Sequence, residues 1–279
     1  MILQERVELC PEREWGHMDV LCSLPTAEYK EKRGAMLVIP GGGYGFVSER
    51  EAEPVARKFY AEGYNTFTLY YSVTPENITD KKSGLPKPLL EASAAIAHIR
   101  RNAEKYNIDP EKVAVIGFSA GGHLAASVAT LWDRDFVKRE CGLSEGENKP
   151  NAAILSYPVI SCDPTIWHEG SFRNLLSGSK DFDADAPEYS LEKQVSDKTC
   201  PCFLWHNAAD TCVPVANSLR MAQALADKKI PVELHVYPNG WHGMSTAESD
   251  VFEGKSSAEM KHTSAWVRTA VEWLRYTLG

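Results

Sequence analysis

No stretch of this 279-residue chain stays apolar long enough to cross a bilayer, where a spanning helix needs about 20 such residues. The first residues, MILQERVELC, put Glu5, Arg6 and Glu8 where a signal peptide would carry its apolar core. Basic residues are in deficit: 30 Lys and Arg stand against 38 Asp and Glu, a formal net charge of −8. A non-specific grip on nucleic acid or an anionic membrane needs positive surface, so neither partner is expected. Cysteine numbers seven, an odd count without regular spacing, which argues against a disulfide framework. Cys200-Pro-Cys202 has one residue between its thiols, not the two of a redox or zinc knuckle. A reducing cytoplasm is the expected compartment, although a chain trimmed of its leader would read the same. Internal repeats and low-complexity tracts are missing as well.

What remains is an ordinary globular composition, 43% apolar and 24% charged. Near-continuous apolar, β-branched runs occur at 35–39, 66–73, 112–116, 152–158, 201–205 and 232–237. Runs of that kind suit strands buried on both faces of a parallel sheet. Between them lie amphipathic stretches at 51–62, 89–106, 122–132 and 215–229, with a last one at 263–278. In the second, Leu89, Ala92, Ile96 and Ile99 recur at helical spacing. Such βαβα order predicts one α/β domain over residues 1–279, a doubly wound, mostly parallel sheet with helices on both sides. The rhythm breaks at about 161–198, where Pro164, Gly170, Gly178 and Pro187 interrupt any period and Asp181, Asp183 and Asp185 alternate. Composition does not shift around this segment, so it reads as a cap-like insertion over the sheet.

One serine stands out. Gly117-Phe118-Ser119-Ala120-Gly121 follows a buried-strand run and opens a helix-like one, the context of a nucleophile elbow. A sharp strand-to-helix turn strains the serine backbone and crowds its neighbours, so side chains two residues either side would collide. The turn lifts the hydroxyl above the carboxyl ends of the strands, where open sheets bind ligands. A serine needs a base, and the base an orienting carboxylate. The expected chain order is Ser, acid, His, each just past a later strand. Asp210 follows the run ending at Trp205, and His242 follows the run ending at Tyr237. Asp210 could instead cap a helix, and His242 could be an idle loop residue. Among rivals, His206 and His123 read as structural, while Asp163 and Glu233 are poorly placed.

An oxyanion needs donors. One is expected from the Ala120 N–H, next after the serine, and one from a strand-following loop. Pro40-Gly41-Gly42-Gly43-Tyr44-Gly45 comes directly after AMLVI, and Gly42 is the first choice, with Gly41 and Gly43 as near alternatives. A dinucleotide loop is disfavoured, because Phe46 takes the place of the last glycine and no Gly-Lys-Ser/Thr follows.

On PGGGYGFVSERE, YYSV, GFSAGGHLAAS, WHNAADTCVPVANS and YPNGWHG, the chain resembles the microbial acetyl-esterase and xylan-esterase-like branch of the α/β-hydrolases. The resemblance implies the α/β-hydrolase fold, Ser119 as nucleophile, Asp210 as acid, His242 as base and an oxyanion hole from the PGGG loop and Ala120. Lipase-like relatives carry His-Gly-Gly-Gly, whereas Pro40 stands here. Thr211-Cys212 departs from the family's pattern before Val213. A serine esterase for short acyl groups, above all acetyl, on carbohydrates such as xylan is implied. It would take small-molecule or oligosaccharide esters and no metal or organic cofactor. Gly43, Tyr44 and Trp241 are candidates for the substrate mouth, with Trp167 either there or packing the insertion. The acidic insertion would favour a polar leaving group. The same triad could cleave a peptide or an aryl formamide, and the fold also serves as a non-catalytic ligand-binding module. A homo-oligomer is left open.

Overall fold

The computed structural model describes residues 1–28 and 30–279. Eight strands form one sheet in the order β1-β2-β4-β3-β5-β6-β7-β8. They are β1 (Ile2–Glu8), β2 (His17–Ser23), β3 (Arg33–Ile39), β4 (Tyr64–Tyr70), β5 (Ile108–Phe118), β6 (Ala152–Ser156), β7 (Cys202–Asn207) and β8 (Val232–Tyr237). All pairings from β4 through β8 are parallel. The helices are α1 (Glu53–Ala61), α2 (Lys87–Arg101), α3 (Ala120–Leu131), α4 (Asp135–Cys141), α5 (Glu169–Leu175), α6 (Phe182–Asp185), α7 (Ala216–Asp227), α8 (Ala258–Thr263) and α9 (Ala265–Leu278).

The continuous apolar runs follow from two cores, one on each face of the sheet. In β3, Ala35, Leu37 and Ile39 enter the core shared with Ile96 of α2, Leu124 of α3 and Met221 of α7. Met36 and Val38 enter the other, with Phe59 of α1 and Trp266 and Val271 of α9. β7 repeats the alternation, with Cys202 and Leu204 on the first face and Phe203 and Trp205 on the second. All six expected strands are present, β8 with the expected ends and the other five with shifted ones. The sequence reading missed the β1–β2 hairpin, which adds an antiparallel edge to the sheet. Every second residue of β1 is exposed, and Ile2, Gln4, Arg6 and Glu8 fill those positions. Its signal is therefore weak until Arg6 pairs with Asp19 across the hairpin at 2.8 Å.

Chain order places the site. β3 is followed in space by β4 on one side and β5 on the other, so the crossovers diverge between β3 and β5. That switch point leaves a crevice at the carboxyl ends of the two strands. Pro40 and Ser119 both lie there, since Ile39 is in register with Gly117.

Segment 161–198 is less irregular than expected, because α5 and α6 form within it. The Asp181 carboxylate accepts the Ala184 N–H at 3.2 Å and caps α6, and Asp185 accepts the Ser179 hydroxyl at 2.6 Å. These two carboxylates thus serve local turns, which weakens the expectation that they greet a leaving group. Trp167 packs within the segment, its ring 6.4 Å from Phe172 and 6.3 Å from Phe182.

Beneath the far core, Trp266 stacks on Trp205 at 4.9 Å with 17° between planes, and its indole N–H donates to the Ser245 carbonyl at 3.0 Å. Trp266→Ala is expected to cost about 3–5 kcal/mol, the range for emptying a buried aromatic site. Urea denaturation measures it, and a loss under 1 kcal/mol, an estimate of ordinary surface effects, would refute this role.

Candidate active site

Ser119 directly follows β5 with φ 53 and ψ −118, a conformation that a non-glycine residue adopts only when its surroundings force it. The reason for the flanking glycines is geometric. A Cβ on Gly117 would fall 2.0 Å from the Gly121 carbonyl oxygen, and one on Gly121 would fall 2.2 Å from that of Ile39. The Ser119 N–H donates to the Ser156 carbonyl at 3.0 Å and its own carbonyl accepts Val159 N–H at 3.1 Å. Both sides of the elbow are therefore pinned to the β6 end.

The three residues expected to work together meet above the sheet. His242 Nε2 lies 2.8 Å from Ser119 Oγ, and its Nδ1 lies 2.7 Å from Asp210 Oδ2. With Asp210 ionised, Nδ1–H is the donor to the carboxylate, which leaves Nε2 free to accept the serine proton. Asp210 does not cap α7, which starts at Ala216 without a side-chain cap; its two oxygens divide between the turn before that helix and the imidazole. Oδ1 accepts the N–H groups of Cys212 and Val213 at 2.9 and 3.0 Å, while Oδ2 faces His242. Burial alone would push the Asp210 carboxyl up. Hydrogen bonding from His206 and His242, the charge on His242 and the Val213 N–H outweigh it and hold the group well below the usual carboxylate range. His206 is the looser partner. Its Nε2 is 3.5 Å from Asp210 but 2.9 Å from the Val213 carbonyl, which takes its proton. His206 thus fixes the Asp210 turn, as its place at a strand end suggested.

The glycine loop runs against the serine, since a Cβ on Gly41 would stand 3.1 Å from Ser119 Cβ. Gly41 drops out as an oxyanion donor, because its N–H is bound to Glu51 Oε2 at 2.9 Å. Gly42, Gly43 and Ala120 have N–H groups without an acceptor among the described residues. Gly42 has φ 122, and a Cβ there would meet the Phe46 carbonyl oxygen at 2.0 Å, so only glycine fits. The Gly43 carbonyl accepts the Asn174 amide at 2.8 Å and ties the loop to α5.

Two of the other expectations separate. Tyr44 does not line a mouth: it is 1% exposed and its hydroxyl bonds His123 Nδ1 at 2.8 Å. His123 is buried, donates from Nε2 to the Tyr189 carbonyl at 2.8 Å, and is kept neutral by burial, which lowers its pKa to about 4. A buried imidazole needs two partners, and Tyr44 is one of them. Trp241, in contrast, is 41% exposed beside His242, with its ring edge-on to Phe252 at 5.8 Å. Asp163 is taken by Arg220 at 2.6 Å and Glu233 by His235 at 2.7 Å.

A family model described as BD-FAE matches residues 21–225. The chain belongs to the BD-FAE family of α/β-hydrolases. A second model, the dienelactone hydrolase family, matches residues 173–278. The chain is 42% identical over 231 residues to an endo-1,4-beta-xylanase B of Butyrivibrio fibrisolvens, covering 82% of this chain and 35% of that protein. It is 30% identical over 234 residues to an acetylxylan esterase of Xylanibacter ruminicola, covering 82% of this chain and 44% of that one. It therefore spans less than half the length of either relative. Among solved structures, an acetyl ester-xyloside bifunctional hydrolase of Caldicellulosiruptor lactoaceticus superposes with a TM-score of 0.78 at 33% identity, covering 98% and 96% of the two chains.

The sequence reading missed the support beneath this BD-FAE site. Glu51 is 3% exposed. One oxygen accepts the Gly41 N–H, and the other accepts the Tyr157 hydroxyl at 2.6 Å. The Tyr157 oxygen accepts the Ser245 N–H at 2.9 Å, and its ring lies edge-on to His242 at 5.1 Å. One carboxylate thus joins the glycine loop, the β6 end and the histidine loop. Nothing in the spacing of Glu51, Tyr157 and Ser245 announces this. The only signal is a charged residue within an amphipathic stretch directly behind the glycines.

Glu51→Gln offers one acceptor oxygen where two are used, so a buried donor loses its partner. The expected cost is about 1–3 kcal/mol of stability, read from the urea midpoint. An unshifted midpoint would show that the three loops stand without this link.

Proposed function

We propose that this protein is a serine carboxylesterase that removes short acyl groups, above all acetyl, from carbohydrates such as acetylated xylan or xylo-oligosaccharides. The observation that carries the reading is the line of contacts from Asp210 through His242 to Ser119, 2.7 and 2.8 Å long, beside a loop with free N–H groups. In this mechanism His242 Nε2 takes the Ser119 proton as Oγ attacks the ester carbonyl. The tetrahedral oxyanion is held by the N–H groups of Gly42 and Ala120, aided by the N-terminal dipole of α3. His242 then returns the proton to the departing alcohol, leaving an acyl-serine. Water, deprotonated by the same imidazole, attacks that acyl group, and Ser119 leaves with the proton. Asp210 orients the imidazole and stabilises the imidazolium without taking a proton. Every proton and electron pair is carried by these side chains, so the cycle calls for no metal or organic cofactor.

The substrate class is supported by the similarity of the chain to an acetylxylan esterase and an acetyl ester-xyloside hydrolase. Trp241, exposed beside the base, offers an amphipathic ring on which a sugar could stack. We read residues 1–279 as one hydrolase unit with segment 161–198 lying over it. The seven free thiols suit a reducing compartment, and we assign the protein to the cytoplasm. No helix among the described residues is long and apolar enough to cross a membrane.

Ser119→Ala is expected to lower ester turnover by about 10⁴-fold or more while the fold is retained. A fluorophosphonate should label Ser119 and no other residue. Label on a different serine, or near-native turnover in the alanine variant, would overturn the assignment. For the acyl group, p-nitrophenyl acetate should be cleaved faster than the butyrate and far faster than the octanoate. An octanoyl optimum, or a peptide or formamide that outruns every ester, would redirect the protein to another substrate class.

A further inference from the structure

His168 stands at the entrance to α5, within the segment that separates β6 from β7. Its Nδ1 accepts the Ser171 N–H at 3.3 Å and pairs with the Ser171 hydroxyl at 2.8 Å. The Ser171 N–H is shared between the His168 carbonyl at 3.1 Å and Nδ1, and the ring contact favours the tautomer whose proton is on Nε2. That Nε2–H has no partner among the described residues, although the side chain is half-buried. Helix capping therefore accounts for one edge of the ring and leaves the other unexplained.

The position of the free edge is informative. Cε1, the atom bonded to both ring nitrogens, lies 3.9 Å from where a Cβ on Gly43 would stand. Gly43 adjoins Gly42 in the loop that abuts Ser119. His168 is also within electrostatic reach of both His242 and Asp210. Burial first, and then the charge that His242 acquires, lower its pKa, so it remains a neutral one-proton donor. His242 is the residue that hands a proton to the departing alcohol, so the leaving group passes on the side of the site where the charges of His242 and His168 interact.

We infer that His168 is a specificity-determining residue for the leaving group, its Nε2–H donating to a hydroxyl or ring oxygen of the sugar that departs. The inference rests on the carbohydrate-esterase reading above. It adds a contact from α5 to a site otherwise built from the β3, β5, β7 and β8 ends.

Two substitutions divide the ring's two edges. Asn at 168 keeps a strong N-cap acceptor but has no group that reaches the Nε2 position. Gln can place its amide N–H near that position but gives up the cap. The measurement is the ratio of kcat/KM for acetylated xylobiose to that for phenyl acetate, whose leaving group carries no sugar oxygens. One neutral hydrogen bond predicts a ratio about three- to tenfold lower in His168→Asn, with an unchanged thermal midpoint. His168→Gln should recover most of the ratio while melting earlier. A ratio in His168→Asn within twofold of wild type, or Gln and Asn failing alike, would leave His168 a helix cap only. Wild-type protein that cleaves phenyl acetate and not acetylated xylobiose would remove the carbohydrate reading, and this inference with it.

Discussion

Ser119 is held at φ 53 and ψ −118, and strain of this kind costs about 1–3 kcal/mol. A relaxed backbone would lower the hydroxyl into the sheet, so the surroundings must over-determine the turn. They do so by crowding and by hydrogen bonds together. Gly117 and Gly121 let β5, α3 and the β3 end approach to distances that a Cβ would forbid. Ser156 and Val159 hold the serine backbone from the β6 side. The helix that follows is entirely buried over its length, and its small residues let it lie flat on the sheet. The elbow is thus secured by the packing of the central strands, and its stability derives from the core.

Holding the serine is only part of what a hydrolytic site requires. The glycine loop and the histidine loop come from opposite sides of the switch point and have no register with one another. Glu51 connects them through Gly41 and Tyr157, and Tyr157 passes the connection to Ser245. A buried carboxyl group is costly unless its oxygens are hydrogen-bonded. The two hydrogen bonds of Glu51 therefore fix the loops as much as the loops satisfy its oxygens. On the other flank Asn174 and His168 bring α5 against the same loop. The free N–H groups of Gly42, Gly43 and Ala120 sit within that frame, with Gly41 diverted to structural use.

Comparison with the curated relatives bears on how the unit is used. The chain corresponds to 35% of a xylanase and 44% of an acetylxylan esterase, yet to nearly the whole of a solved acetyl ester-xyloside hydrolase. The same fold therefore occurs as a part of longer proteins and as a chain in its own right. Its site faces the carboxyl ends of the strands, away from the β1–β2 edge, so additions to the chain need not disturb it.

The alternation of apolar runs and amphipathic stretches determined the sheet, because burial on both faces leaves a continuous hydrophobic trace that local reading detects. That Ser119, Asp210 and His242 would meet could be expected for a similar reason, since each falls within a few residues of a recognisable strand end. The β1–β2 hairpin was not legible, for the exposed face of β1 is mostly polar and Arg6 finds its partner Asp19 only across the sheet. Tyr44 was misread because its neighbours in sequence are the glycines, whereas its partner in space is His123, 79 residues away. Glu51 and Tyr157 are 106 positions apart, and His168 meets the loop at Gly43 only once the segment after β6 folds back. Strand-end chemistry is written locally. Buried hydrogen-bond pairing is non-local, and only the packed structure decides which distant group satisfies which.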